Sequence, residues 1–129
     1  MITILIKIDF ESNVPIYFQL RNEIIKAIAR GELLENTSLP SVRTLANELD
    51  INMHTVNKAY NILKEEGYVK IDRRKGALIS YAFKNFNEEF KNTLDEELEI
   101  FIAQSVARGI EKDLVINKIN NIFSKYMKE

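Results

Sequence analysis

Ser41, Arg43, Asn52, His54, Thr55, Asn57, Lys58 and Asn61 crowd into one short stretch of the chain, and Arg73, Arg74, Lys75 and Gly76 follow soon after. None of them forms a nucleophile and base pair. What they share is hydrogen-bonding capacity and positive charge, which is the chemistry that reads DNA. Asn bonds adenine in a bidentate way, Lys reaches guanine acceptors or phosphate, and a Thr methyl touches thymine. His54, Lys58 and Asn61 recur at helical spacing with Asn57 beside them, so one helix presents all four outward if its apolar residues face inward. A polar outer face on an isolated helix is usually just solvated. Its coincidence here with a basic turn favours contact with double-stranded DNA.

Composition removes most rival chemistries. The 129 residues include 18 Lys and Arg against 19 Asp and Glu, and no Cys at all. Disulfides, thiolate metal sites, iron–sulfur clusters and Cys nucleophiles are therefore excluded. His54 is the single His, and its neighbours Asn52, Met53 and Thr55 are poor metal ligands, so no metal is expected. Gly76 stands alone rather than in a phosphate-cradling loop. Asp95, Glu96, Glu97 and Glu99 point in different directions on a helix, which makes them a solvated face and not a carboxylate pair. Neither an enzyme nor a cofactor is expected. No apolar run approaches the roughly 18 to 20 residues of a membrane helix. Met1 to Ile8 is broken by Thr3 and Lys7 and has neither the basic start nor the cleavage site of a signal peptide. The expected location is the cytoplasm.

The net charge of −1 hides local structure. Between Tyr68 and Ser80, Lys70, Arg73, Arg74 and Lys75 face only Asp72. Such a balance argues against coating nucleic acid in bulk but allows a focused basic contact.

These side chains need elements to position them. Ile16, Leu20, Ile24 and Ile28 repeat at helical spacing after Pro15, and Gly31 stops the pattern, which predicts a first helix from Pro15 to Arg30. Residues 31–40 read as a loop. Ser41 then caps a short helix whose inner stripe is Val42, Leu45, Ala46 and Leu49, and Asn52 caps a third helix with Val56, Ala59, Tyr60 and Leu63 inside. Two helices joined by so tight a turn form a helix-turn-helix. Beyond Gly67 the period changes to alternation at Val69 and Ile71, then come the basic turn and a second strand from Ala77 to Tyr81. A hairpin in that place makes a winged helix.

After Ala82 the pattern is helical again. Phe83, Phe86, Phe90, Leu94, Leu98, Phe101, Ile102, Ser105 and Val106 mark one side of a fourth helix, and Gly109 breaks it. A fifth, from Lys112 to Lys128, carries Val115, Ile119, Ile122, Phe123 and Tyr126 on one stripe. Two helices cannot enclose a drug-sized cavity, but they can pair with a copy of themselves. A homodimer through Phe90, Leu94, Leu98, Phe101, Ile102, Ile119, Ile122 and Phe123 is the simplest way to bury both stripes. The expected class is α+β, mainly helical, with a winged helix-turn-helix domain over residues 1–80 and a two-helix dimerisation arm over 81–129.

The stretch LPSVRTLANELDINMHTVNKAYNILKEEGYVKIDRRKGALIS closely resembles the DNA-binding domain of GntR-family bacterial transcription regulators, and IDFESNVPIYFQLRNEIIKAIARGEL is similar to that domain's first helix. The short two-helix tail resembles the YtrA-like subfamily, which carries no separate effector domain. The resemblance implies a dimeric repressor that binds an inverted-repeat operator. It also implies DNA contact by Arg43, by Asn52, Met53 and the rest of the recognition-helix start to Asn57, and by the wing tip from Arg73 to Gly76. This chain departs from the family in two places. Arg74 stands where the wing usually has its first glycine, and Asn52 and Met53 stand where many relatives have Ser and Arg. The operator therefore does not carry over, and no small-molecule effector is specified. A winged helix that binds protein without specific DNA binding is the alternative; salt-dependent DNA binding separates the two.

Overall fold

Each helix of the N-terminal half starts and stops at a residue suited to that job. In the computed structural model, which describes residues 5–80 and 88–127, the elements are α1 (Ile16–Ala29), α2 (Val42–Leu49), α3 (Met53–Glu65), β1 (Val69–Asp72), β2 (Gly76–Ile79), α4 (Glu88–Ala107) and α5 (Lys112–Tyr126). Pro15 occupies the N-cap of α1. The Ser41 hydroxyl accepts from the Thr44 N–H at 3.1 Å, which satisfies one free donor at the start of α2. Asp50 ends α2 in the left-handed region at φ 55°, and the Ile51 N–H closes the turn on the Ala46 carbonyl at 3.0 Å. The Asn52 side chain then accepts from the His54 N–H at 2.7 Å and opens α3. The helix-turn-helix expected from the spacing is thus built from two side-chain caps around one left-handed residue.

The chain divides into two compact units, Met1–Ala82 and Phe83–Glu129. In the first, Leu20 and Ile24 of α1, Val56 and Leu63 of α3 and Ile79 of β2 are fully buried around one core. A bidentate ion pair from Arg21 to Glu66, at 2.8 and 2.9 Å, joins α1 to the end of α3.

Two features differ from the sequence reading. Residues 31–40 are not simply a loop: the Asn36 N–H donates to the Ile79 carbonyl, the Ile79 N–H to Thr37 and the Leu39 N–H to Ala77, at 2.8 to 2.9 Å. This segment lies along the free edge of β2 and buries Leu33 and Leu39. Its apolar residues do not alternate, so its sequence carries no strand signal. In addition, the chain ahead of Pro15 docks on α1. The Gln19 amide donates to the carbonyls of Asp9 and Val14 and accepts from the Asp9 N–H, while Ile6 and Ile8 pack against the core. Of the expected elements, Tyr81, Phe83, Phe86 and Lys128 lie outside the described residues.

The second unit is a helix pair around Gly109, whose φ of +73° suits glycine at a helix end. Its apolar side chains stay largely wet. Only Ser105 is buried in α4, through a hydroxyl bond to the Phe101 carbonyl at 2.9 Å, and no residue of α5 is buried.

Candidate nucleic-acid interface

α3 turns its apolar face into the core and leaves Asn52, Met53, His54, Asn57, Lys58 and Asn61 exposed, with Thr55 half-buried. The outward row expected from the spacing is present. Ser41 and Arg43 are exposed at the start of α2, which packs against α3. The Tyr60 hydroxyl donates to the Pro40 carbonyl at 2.7 Å and so fixes the start of α2 on the middle of α3. Burial, with a smaller contribution from Glu48, holds the Tyr60 phenol well above its ordinary range. It stays a neutral donor at any working pH.

Two of the candidates carry a structural duty. The side-chain oxygens of Ser41 and Asn52 are occupied as caps, whereas Asn57 has none of these bonds. Asn52→Ala should therefore destabilise the protein by about 1 kcal/mol, while Asn57→Ala leaves the thermal midpoint nearly unchanged. Paired melting curves measure the difference.

The wing follows from one register. Asp72 pairs with Gly76, which leaves Arg73, Arg74 and Lys75 as a turn of three residues. Gly76, which closes the hairpin opposite Asp72, takes φ +77°, a left-handed backbone that suits glycine. The Asp72 carboxylate accepts from the backbone N–H groups of Arg74 and Lys75 at 2.8 and 2.9 Å. It works chiefly as the brace of the turn, with a smaller Coulombic attraction to Lys75 and Lys70. Those bonds, Lys75 first and Arg74 next, hold its carboxyl below the usual aspartate range. A depressed folded value means that the brace is present above the unfolded value and is lost as pH falls through the folded one. The amide resonances of Arg74 and Lys75 should accordingly titrate together below the normal Asp range, and Asp72→Ala should abolish that titration.

Arg43, Lys58, Lys70, Arg73, Arg74 and Lys75 make no ion pair among the described residues. Their charge remains available to phosphates. Lys58 has one further contact, its Nζ lying 4.0 Å from the centre of the Tyr17 ring on α1. Neither that contact nor the Tyr60 bond is announced by sequence spacing, since both join residues of separate elements. The groups gathered here suit groove edges and phosphate oxygens. Among the described residues, no cluster of His, Cys, Asp or Glu suited to a metal ion occurs.

Residues 16–79 match the model of the bacterial regulatory proteins, gntR family. The HTH-type transcriptional repressor YtrA of Bacillus subtilis is 34% identical over 119 residues, 92% of this chain and 92% of that protein. In structure, the chain is similar to YtrA from Sulfolobus acidocaldarius, a GntR-family transcription factor, with a TM-score of 0.65 and 38% identity over 79% of this chain and 97% of that one. A transcriptional antiterminator from Listeria monocytogenes superposes with a TM-score of 0.85 over 98% of this chain and 96% of its own, and at 23% identity it shares the fold alone. Taken with the winged helix-turn-helix just described, these likenesses mean that the chain belongs to the GntR family, whose members are DNA-binding transcription regulators and not enzymes.

Proposed function

We propose that this regulator is a cytoplasmic, homodimeric repressor that binds an inverted-repeat operator in double-stranded DNA. The observation that carries the DNA-binding half is the exposed polar row of α3 beside cations that make no ion pair among the described residues. In this reading the start of α3, from Asn52 through Met53, His54 and Thr55 to Asn57, enters a major groove together with Asn61, and Lys58 meets a phosphate at the groove's edge. Arg43 reaches a base edge from α2, the free N–H groups at the helix starts favour phosphate oxygens, and the wing tip rests on the backbone.

Dimerisation is supported by the second unit's surface. Phe90, Leu94, Leu98, Phe101, Ile102, Ile119, Ile122 and Phe123 are each 37–61% exposed in the single chain. Ile100, Val106, Leu114 and Ile116 are exposed as well, so the apolar surface is wider than two narrow stripes. So much apolar area on one small unit marks an interface. A symmetric partner covers both helices at once and sets two winged helices about one turn of DNA, or a multiple of it, apart.

The deciding experiment is selection of bound fragments from genomic DNA with the purified protein. A recovered palindrome is the expected result. A protein that enriches no sequence and binds DNA without salt dependence is instead a protein-interaction module. The wing has its own test: replacing Arg74 and Lys75 by Ala should weaken specific and nonspecific binding alike, and flatten the salt dependence by roughly one unit per lost phosphate contact. A changed sequence preference at constant salt would mean that the wing reads bases or groove shape.

A further inference from the structure

Of the candidate DNA-contacting cations, Lys58 alone among the described residues has its charge resting on an aromatic ring. Tyr17 sits in the first turn of α1, half-buried and packed against the core, so the position of its ring is set before any ligand arrives. The Lys58 ammonium lies 4.0 Å above it. The helix neighbours of Lys58 at three and four residues are His54, Thr55, Asn61 and Ile62, which leaves no acid within one turn of it on its own helix.

The choice of partner matters for a cation that must meet phosphate. A carboxylate in the place of Tyr17 would restrain the long side chain but would also cancel the charge that the phosphate sees. The face of a ring attracts the ammonium through its quadrupole and leaves both the full positive charge and outward N–H donors. Ordering the flexible stem in advance removes part of the entropy loss on binding. We infer that Tyr17 is a positioning residue for DNA binding: from a helix outside the helix-turn-helix pair, it holds Lys58 ready for a backbone phosphate. This role rests on the DNA-binding reading above, and it extends the functional surface to α1.

The test compares a duplex carrying the selected sequence with a scrambled duplex of equal length across a salt series. The proteins are the wild type, Tyr17→Leu, Tyr17→Phe, Lys58→Gln and the Tyr17→Leu/Lys58→Gln double variant, each checked for folding by circular dichroism. Tyr17→Leu should weaken binding to both duplexes roughly two- to fivefold, the span of an exposed cation–ring contact. Tyr17→Phe keeps the ring and should restore wild-type binding. Lys58→Gln should lower the salt slope by about one, and adding Tyr17→Leu to it should cost nothing more. If the leucine variant does not fold, Tyr17→Met takes its place in the same comparisons. Equal losses from Tyr17→Leu with and without Lys58 would make Tyr17 merely structural and overturn the inference. A wild type that binds while Tyr17→Leu changes nothing overturns this inference alone. One that binds neither duplex at low salt overturns the DNA-binding reading too.

Discussion

Phe101→Asp should convert a dimer into monomers and weaken binding to a two-half-site operator by about a hundredfold or more. Phe101 is 61% exposed in the single chain, in the C-terminal half of α4 and among the apolar residues that a partner would cover. A carboxylate there costs little in the monomer but leaves an unpaired charge buried in the dimer, where about 3–5 kcal/mol is the expected penalty. The first unit should be untouched, since its core comes from α1, α2, α3, the hairpin and residues 33 and 39. Its melting transition serves as the internal control. Truncation after Tyr81 should act in the same way, giving a folded monomer that binds single half-sites and no longer links two of them. Sedimentation at micromolar concentration decides the matter. A wild type that runs as a monomer, or a truncated form that still dimerises, would refute this account of the arm.

Arg43→Ala should cost about 1–3 kcal/mol on the selected operator. Arg43 is exposed in the first turn of α2 and makes no ion pair among the described residues. The start of that helix is fixed on α3 by the Tyr60 bond to Pro40, so the guanidinium projects from a rigid base beside the recognition helix. Arg43→Lys separates charge from geometry. It keeps the phosphate attraction but loses the planar fork that grips a guanine edge. The lysine variant should therefore retain the salt slope and lose discrimination between the operator and a scrambled duplex. If Arg43→Ala binds both duplexes with unchanged affinity, Arg43 has no part in reading bases. Asn57→Ala should follow the same pattern with a smaller loss, because a neutral amide contributes less to the contact.

How far the chain can be read without its fold depends on the range of the forces involved. The helix boundaries were readable because capping acts within one turn: Pro15, Ser41, Asn52 and Gly67 each meet the backbone of their near neighbours. The hairpin was readable for the same reason, since alternation around a basic turn ending in Gly76 is a local pattern. The outward row of α3 follows from helical periodicity with Val56, Ala59 and Leu63 as inner residues, and they are fully buried. The tertiary structure alone decided every contact made between distant parts of the chain. Residues 36–39 lie along β2 because that edge has free backbone groups to satisfy, a demand that the segment's own composition does not reveal. Ser41 and Asn52, expected from the sequence both as caps and as DNA contacts, do cap their helices, because a side-chain oxygen takes the nearest unsatisfied N–H. Lys58 comes to rest over Tyr17 only because α1 packs across α3. Spacing along one helix states which side chains point outward; what they meet there is set by the packing of elements that are remote in sequence.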